Sequence, residues 1–208
     1  MDDRSRRKIA EHGPLTLARR GDVWEILWEG TFLMSSECRQ SERELGKLAR
    51  GRTLVGGLGM GFTVRAALDA GASAIDVVEI SAAVIGWNRG PLAPLAGRPL
   101  DDPRVQVHEA DVAAFLRTAS DYDAILLDVD NGPSWTARPE NAALYDEAGL
   151  SALRRALALG GVLAIWSAQP ERLPGFEERA MPSAVGGADY LYVLTGTGSS
   201  PPTGCNRR

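Results

Sequence analysis

The clearest indication of a chemical function in this chain is a set of closely spaced glycines followed by one carboxylate. The apolar segment 53–55 is followed by four glycines, Gly56, Gly57, Gly59 and Gly61. A second apolar segment ends at Glu79, twenty residues after Gly59. A glycine turn lets the backbone approach a ligand closely, and a carboxylate that ends the second strand can accept the hydroxyl hydrogens of a ribose. The spacing predicts a nucleoside site; the alternative is a tight turn followed by a solvated strand end.

The pattern of glycines distinguishes between nucleoside ligands. A dinucleotide fingerprint needs glycine at its first, third and sixth positions, and the sixth position counted from Gly57 is Phe62. Glycine at alternate positions fits instead the tight loop over S-adenosylmethionine, which has no pyrophosphate to place at a helix N-terminus. Asp111, after the third predicted strand, is placed to accept from the adenine amino group. Its alternative role is to cap the helix that begins at Val112.

Polar residues and glycines follow four successive strands of the predicted sheet, at the edge where open α/β folds bind ligands. The candidate cofactor-binding residues are Gly56, Gly57, Gly59, Gly61, Glu79, Ile80, Asp111, Val112 and Asp128. The candidate catalytic residues, which would orient an acceptor and take its proton, are Asp130, Asp128 and Asn131. The alternative for these three is a turn before Gly132-Pro133 without chemistry.

Strand and helix patterns alternate from residue 52 onward. Strands are predicted at 53–57, 74–79, 104–109, 122–128 and 161–167, and a last, partly alternating strand at 189–194 as an antiparallel edge. Helices are predicted at 61–70, 81–89, 111–118 and 141–159. Several strands are continuously apolar, as in parallel strands covered on both faces. The predicted fold class is therefore α/β, with a Rossmann-like, doubly wound, mostly parallel sheet.

The N-terminal quarter shows a different pattern. We predict a flexible N-terminus at 1–13, a small β-hairpin with a short helix at 14–50, the nucleoside-binding domain at 51–195 and a flexible tail at 196–208. Trp24 and Trp28 share one face of the hairpin, and we interpret them as core residues or as part of an interface.

Composition and charge argue against several classes of function. The chain has 208 residues, of which 44% are hydrophobic and 24% charged, as expected for a globular domain with a small appendage. The net charge of -4 disfavours a nucleic-acid partner, and no apolar run approaches the ~20 residues that span a bilayer. Two cysteines and two histidines give no metal signature. Because no signal peptide is visible and cysteines are few, we expect a cytoplasmic location.

Residues 23–167 resemble the spermidine synthase family and its methyltransferase-fold relatives. The matching segments, in order, are the strand-turn-strand ending in Glu29-Gly30, the glycine loop, Val77-Val78-Glu79-Ile80, Val84-Ile85-Gly86-Trp87-Asn88, Asp101-Asp102-Pro103-Arg104-Val105, Glu109-Ala110-Asp111, and residues 122–128 followed by Leu144-Tyr145. The resemblance implies the class I methyltransferase fold and a site for a nucleoside sulfonium. In relatives the hairpin region serves assembly, so a homodimer through the N-terminal hairpin is an accompanying hypothesis.

The chain departs from this family at positions that bear on the reaction. The family's glycine loop usually contains an acid that holds the amine of decarboxylated S-adenosylmethionine, and Gly59 stands at that position. Such an acid would repel the carboxylate of intact S-adenosylmethionine, which Gly59 does not. The acidic segment 128–133 is one residue shorter than the family's, and the amine-binding Tyr has no clear match near Ser41-Glu42.

These departures favour an S-adenosylmethionine-dependent methyltransferase that acts on a small-molecule or peptide acceptor by in-line displacement. Glu79 would hold the ribose, Asp111 the adenine and the glycine loop the amino-acid tail, while Asp130, or alternatively Asp128, would orient the acceptor. The first alternative is an aminopropyltransferase whose donor is decarboxylated S-adenosylmethionine. The second is a non-catalytic dimerising module that retains the fold. We expect no metal, nucleic-acid or membrane partner.

Overall fold

Two β-sheets organise the chain, one in the N-terminal quarter and one in the remainder. The structure is a computed structural model that describes residues 5–37, 39–129, 131–136, 139–183 and 186–196. The predicted catalytic residue Asp130 and the predicted tail after residue 196 lie outside the described residues.

The N-terminal sheet is an antiparallel meander in the order β1-β2-β3-β4. Its strands are β1 (Arg7–His12), β2 (Leu15–Arg20), β3 (Val23–Trp28) and β4 (Thr31–Ser35). The structure contains the predicted hairpin as β3 and β4, and within the segment 1–13 that was predicted to be flexible it describes strand β1 from Arg7 to His12. Strand β1 pairs with β2 from Arg7 opposite Arg19 to His12 opposite Leu15. The polar residues that suggested a loose terminus instead suit an edge strand, whose outer side faces solvent.

A seven-stranded sheet in the order β10-β11-β9-β8-β5-β6-β7 forms the rest of the fold. Its strands are β5 (Arg52–Gly56), β6 (Ala74–Glu79), β7 (Val105–Glu109), β8 (Tyr122–Leu127), β9 (Leu157–Ser167), β10 (Glu177–Pro182) and β11 (Ala188–Thr195). The five neighbouring strands β9, β8, β5, β6 and β7 pair in parallel, whereas β11 pairs antiparallel with β9 on one side and with β10 on the other. The predicted α/β class with a mostly parallel, doubly wound sheet is confirmed.

Most helices lie close to their predicted positions, but the helix predicted at 111–118 is shorter in the structure, from Val112 to Phe115. They are α1 (Gln40–Gly46), α2 (Phe62–Asp69), α3 (Ala82–Arg89), α4 (Val112–Phe115) and α5 (Glu147–Ala156), with short 3-10 helices at Ala93–Ala96, Pro99–Asp101 and Pro139–Leu144. The predicted helix 141–159 is divided between Pro139–Leu144 and α5, and its last residues already belong to β9. The predicted edge strand 189–194 is not the edge, because β10 pairs with its outer side.

Apolar side chains are buried on both faces of the large sheet, and the N-terminal sheet shares one of these cores. Leu17 and Ile26 belong to the same buried cluster as Val55 and Val77. Trp24 and Trp28 pack against this cluster and are partly buried, as the core interpretation predicts. The N-terminal sheet is therefore packed onto the domain and available to form part of a site. Dimerisation through it stays a prediction.

The strand order reverses beside β5, which lies between β6 and β8. In open α/β sheets, such a switch point leaves a crevice beyond the carboxyl ends of the strands, where ligands bind. The described helices include none that is both long and apolar enough to cross a membrane. The expected cytoplasmic location stays a prediction.

Candidate active site

A cavity of about 530 Å³ lies at this switch point, a size typical of small-molecule sites. One side is formed by the glycine loop and by the residues that follow β6 and β8. The opposite side is formed by the N-terminal sheet, including Trp28 and Met34, and by the start of α1. The N-terminal sheet therefore acts as a wall of the cavity.

Two glycines of the loop line this cavity, and each occupies a conformation or a space that suits glycine alone. Gly57 has a φ of 87°, and a Cβ there would lie 2.2 Å from the backbone oxygen of Asp128. Gly59 has a φ of 51°, and a Cβ there would lie 2.9 Å from the Cε atom of Met34. Positive φ values are costly for residues with a Cβ. The loop thus brings β5, the end of β8 and the N-terminal sheet together.

The other two predicted glycines serve packing at the borders of the loop. A Cβ at Gly56 would lie 2.8 Å from the Cδ2 atom of Leu127, within the core. Gly61 is the N-cap of α2, and its Cβ would lie 3.0 Å from Oδ1 of Asn88. Neither is among the described residues that line the cavity. Their predicted cofactor contacts stay predictions.

Glu79 lines the cavity and is held by two backbone donors. Its Oε2 accepts a hydrogen bond from the N–H of Leu58 at 2.9 Å, and its Oε1 accepts one from the N–H of Ser81 at 2.8 Å. Ile80 follows it and is also part of the lining, with 40% of its surface exposed. These bonds fix the carboxylate at the end of β6, where the sequence predicts the ribose partner.

Asp111 caps a helix, as its alternative interpretation predicts. Its Oδ1 accepts a hydrogen bond from the N–H of Ala114 at 2.7 Å. Val112 is buried in the core with 5% of its surface exposed. Neither residue is among the described residues that line the cavity, so contact with adenine stays a prediction.

The residues after β8 place one predicted carboxylate on the cavity wall. Asp128 Oδ2 accepts a hydrogen bond from Thr63 Oγ1 at 2.7 Å. Burial of the Asp128 carboxyl group away from bulk water raises its pKa to about 6. The negative charge of Asp189 adds to this rise, and the hydrogen bond from Thr63 opposes it. Asn131 and Trp135 also line the cavity, and Trp135 is 53% exposed.

Two further carboxylates, which sequence reasoning missed, reach the same cavity. Glu42 belongs to α1 and is only 8% exposed, and Asp189 belongs to β11. Burial raises the pKa of Glu42 to about 8, and the charge of Asp128 is the next cause. Sequence reasoning placed Ser41-Glu42 at the start of a short helix and searched there for the missing Tyr, and it had no strand register with which to place Asp189. The one available signal was an acid on the short helix before the glycine loop.

The charge of the cavity is strongly one-sided. The described residues of its lining include four carboxylates, one histidine (His12) and neither Lys nor Arg. Among the described residues, no group of three or more His, Cys, Asp or Glu side chains is arranged to hold a metal ion. The four carboxylates give the cavity a negative lining that suits an organic cation.

Comparison with known proteins identifies the family. A family model described as the spermine/spermidine synthase domain matches residues 53–173, more than half of the chain. This chain belongs to the spermine/spermidine synthase family. The resemblance inferred from the glycine loop and the strand ends is thereby confirmed.

Curated relatives carry names that specify the transferred group. A spermine synthase of Arabidopsis thaliana is 40% identical over 93 residues, which are 43% of this chain and 24% of that protein. A polyamine aminopropyltransferase of Mycobacterium tuberculosis (strain ATCC 25618 / H37Rv) is 29% identical over 171 residues, 77% of this chain and 32% of that protein. The chain thus matches about a quarter to a third of the length of these relatives.

Solved structures support the fold independently. Spermidine synthase from Thermotoga maritima superposes with a TM-score of 0.70 at 18% identity, covering 87% of this chain and 68% of that one. A spermidine synthase in complex with the transition state analogue AdoDATO gives 0.69 at 18% identity, with the same coverage.

The predicted methyltransferase function is wrong, because the named relatives are aminopropyltransferases and a spermine synthase. The same finding corrects the predicted donor, intact S-adenosylmethionine. The prediction rested on the missing acid at Gly59. A side chain at that position would meet Met34, while Glu42, Asp128 and Asp189 bring acids to the cavity from other elements. The absence of one acid in the loop therefore says little about the charge of the whole cavity.

Proposed function

We propose that this protein is an aminopropyltransferase that uses decarboxylated S-adenosylmethionine as donor and an amine of the polyamine class as acceptor. The observation that carries the proposal is the cavity lining, whose described residues supply four carboxylates and neither Lys nor Arg. Both proposed reactants are cations, a sulfonium and an ammonium. The carboxylate of intact S-adenosylmethionine would find like charges and no cationic side chain among these residues.

The donor side of the cavity is the glycine loop with Glu79. We assign the ribose hydroxyls to Glu79, whose carboxylate is fixed by Leu58 N–H and Ser81 N–H. Gly57 and Gly59 let the loop backbone approach the donor closely. Contacts of Ile80, Asp111 and Val112 with the base remain part of this proposal, and Ile80 is the one of the three that lines the cavity.

The reaction is an in-line displacement on a donor that is already activated, so the protein mainly aligns the reactants and excludes water. The acceptor nitrogen attacks the carbon bonded to sulfur, a carbon–nitrogen bond forms, and the carbon–sulfur electron pair returns to sulfur as a neutral thioether. The nitrogen must lose a proton to attack. Asp128, with a pKa of about 6, is suited to accept that proton near neutral pH. Asn131 lies beside it on the lining, and Asp130 remains a sequence-based candidate.

Product analysis tests this proposal. The protein is incubated with 1,4-diaminobutane and either decarboxylated or intact S-adenosylmethionine, and the nucleoside product is identified by mass spectrometry. We expect 5′-methylthioadenosine from the decarboxylated donor and no S-adenosylhomocysteine from the intact one. Calorimetric titration with each sulfonium gives a second readout. Failure of the decarboxylated donor to bind, or turnover of the intact donor alone, would contradict the proposal.

A further inference from the structure

Asn88 is a buried amide on α3 that contacts the glycine loop from outside the cavity. Only 1% of its surface is exposed, and it is not among the described residues that line the cavity. Its Nδ2 atom donates hydrogen bonds to the backbone oxygens of Gly59 at 2.8 Å and of Val84 at 3.0 Å. Because both partners are carbonyl oxygens, the amide must present its NH2 group to them. The bond to Gly59 joins α3 to a loop that lies 29 residues earlier in the chain.

The two sides of the Asn88 amide are satisfied unequally. Its Oδ1 atom is buried and has no hydrogen-bond partner among the described residues. A buried acceptor without a partner costs free energy and is rare in native proteins. A Cβ at Gly61 would lie 3.0 Å from this oxygen, so glycine at 61 leaves the room that the amide occupies. We infer that the benefit of Asn88 lies in its NH2 group, which reaches the loop.

One segment of the loop, from Leu58 to Gly59, is thereby held at both ends. Glu79 accepts a hydrogen bond from the Leu58 N–H at 2.9 Å, and Asn88 donates one to the Gly59 oxygen. The two contacts are linked, since Ser81, the N-cap of α3, donates its N–H to the other oxygen of Glu79. Glycine-rich backbone loses much conformational freedom when it becomes ordered. These contacts order the loop before a ligand arrives, which lowers the cost of binding.

We propose that Asn88 is a positioning residue for the donor, because it holds Gly59 in the left-handed conformation, with a φ of 51°, in which the loop receives the nucleoside. This rests on the proposed function, in which the glycine loop and Glu79 bind the donor. Asn88 does not line the cavity and acts through the loop backbone. Its loss therefore transfers the cost of ordering the loop to ligand binding, while the chemistry of the saturated complex is retained.

Asn88→Asp tests the inference with almost no change in side-chain shape. It replaces the NH2 group by an oxygen that, when ionised, cannot donate to Gly59. We expect the dissociation constant of 5′-methylthioadenosine, measured by calorimetry near pH 7, to rise roughly tenfold. The KM for decarboxylated S-adenosylmethionine should rise by a similar factor. In contrast, kcat and the KM for 1,4-diaminobutane should change by about twofold or less.

Amide hydrogen exchange of the ligand-free protein gives a second readout. Residues 57–61 should exchange faster in Asn88→Asp than in the wild type, and should regain protection when 5′-methylthioadenosine is bound. The strands β8 and β9 should exchange as in the wild type, which separates local loosening from global unfolding. Asn88→Ala places no carboxylate in the core and is the second variant if Asn88→Asp does not fold. It should show the same weaker binding and faster exchange.

Ile85→Val is the matched control, because Ile85 lies on the same helix, is buried and is not among the described residues of the cavity lining. It should lower thermal stability slightly and leave nucleoside affinity and loop exchange as in the wild type. Equal effects in this control and in the Asn88 variants would overturn the inference, because they would assign Asn88 to packing alone.

The outcomes separate this inference from the proposed function. Unchanged nucleoside affinity and loop exchange in the Asn88 variants would overturn the inference even where aminopropyl transfer is established. If the variants weaken nucleoside binding and loosen the loop but the wild type transfers no aminopropyl group, the proposed function fails and the role of Asn88 stands. A wild type that does not bind 5′-methylthioadenosine contradicts both.

Discussion

Two groups of acidic side chains lie at opposite ends of the same parallel sheet, and their surroundings differ. Toward the amino ends of the strands, Asp76 accepts hydrogen bonds from Tyr122 Oη at 2.8 Å and Arg52 Nη2 at 3.0 Å, and its Oδ1 lies 2.7 Å from His108 Nε2. Beyond the carboxyl ends, Glu42 and Asp128 accept hydrogen bonds only from hydroxyl groups among the described side chains.

The pKa values shift in opposite directions as a result. Burial alone would raise the pKa of Asp76, but its partners His108, Tyr122 and Arg52 outweigh burial and lower it. Burial raises the pKa values of Glu42 and Asp128, and no basic side chain opposes it. The difference indicates that Asp76 stabilises the fold, whereas Glu42 and Asp128 lie in a negative environment that favours a cationic ligand.

The sharpest test of this contrast is Asp128→Asn. We expect the rate of aminopropyl transfer to fall roughly 100-fold or more, because the proton acceptor beside the attacking nitrogen is lost. The melting temperature should be unchanged or higher, since a carboxylate in a like-charged cavity is removed. Single-turnover rates and thermal unfolding give the two readouts. A large loss of stability with retained activity would place Asp128 in the structural group.

The backbone at the two ends can be compared through Gly57→Ala and Gly71→Ala. Both glycines have positive φ values, 87° and 92°, but a Cβ at 57 would meet the Asp128 oxygen while the space around 71 is open. We expect Gly71→Ala to cost about 1 kcal/mol from backbone strain alone. Gly57→Ala should cost about 3 kcal/mol and also weaken donor binding. Equal costs in denaturant unfolding would show that the close approach to β8 is unimportant.

For the amino-end group, Asp76→Asn should lower the free energy of unfolding by about 2 kcal/mol, because buried donors lose a charged acceptor. Activity per folded molecule should be retained. Asp69→Asn, which removes an exposed partner of Arg65, is the control and should change stability by about 0.5 kcal/mol or less. A fall in turnover without a fall in stability would mean that Asp76 also serves the site.

The smallest expected effect is on the pH dependence of stability. Between pH 4.5 and about 8, folded Glu42 holds a proton that the unfolded chain has released, so its contribution to stability is lost as pH rises through this interval. The lowered pKa of Asp76 acts oppositely, and its contribution is lost as pH falls below 3.8. Melting temperatures of Glu42→Gln should therefore decline less than those of the wild type as pH rises toward 8. Equal pH dependence of the melting temperature in the variant and the wild type would argue against a raised pKa of Glu42.

Features that depend on neighbours along the chain could be predicted from the sequence. The glycine turn after an apolar strand, the spacing to Glu79 and the alternation of strands and helices predict the α/β fold and one edge of its sheet. These signals are local, because glycine conformation and strand periodicity are set within a few residues. They were sufficient to predict the family, and three of the residues they indicated, Gly57, Gly59 and Glu79, line the cavity.

The tertiary structure was needed to show that four carboxylates line one cavity. Glu42 and Asp189 are 147 positions apart in the sequence and meet only because α1 packs against β11. Packing of the N-terminal sheet onto the domain places Met34 against Gly59 and makes that sheet a cavity wall. Electrostatic free energy depends on distances in space and on burial, neither of which sequence spacing records. That is why one missing acid in the glycine loop led to the wrong donor.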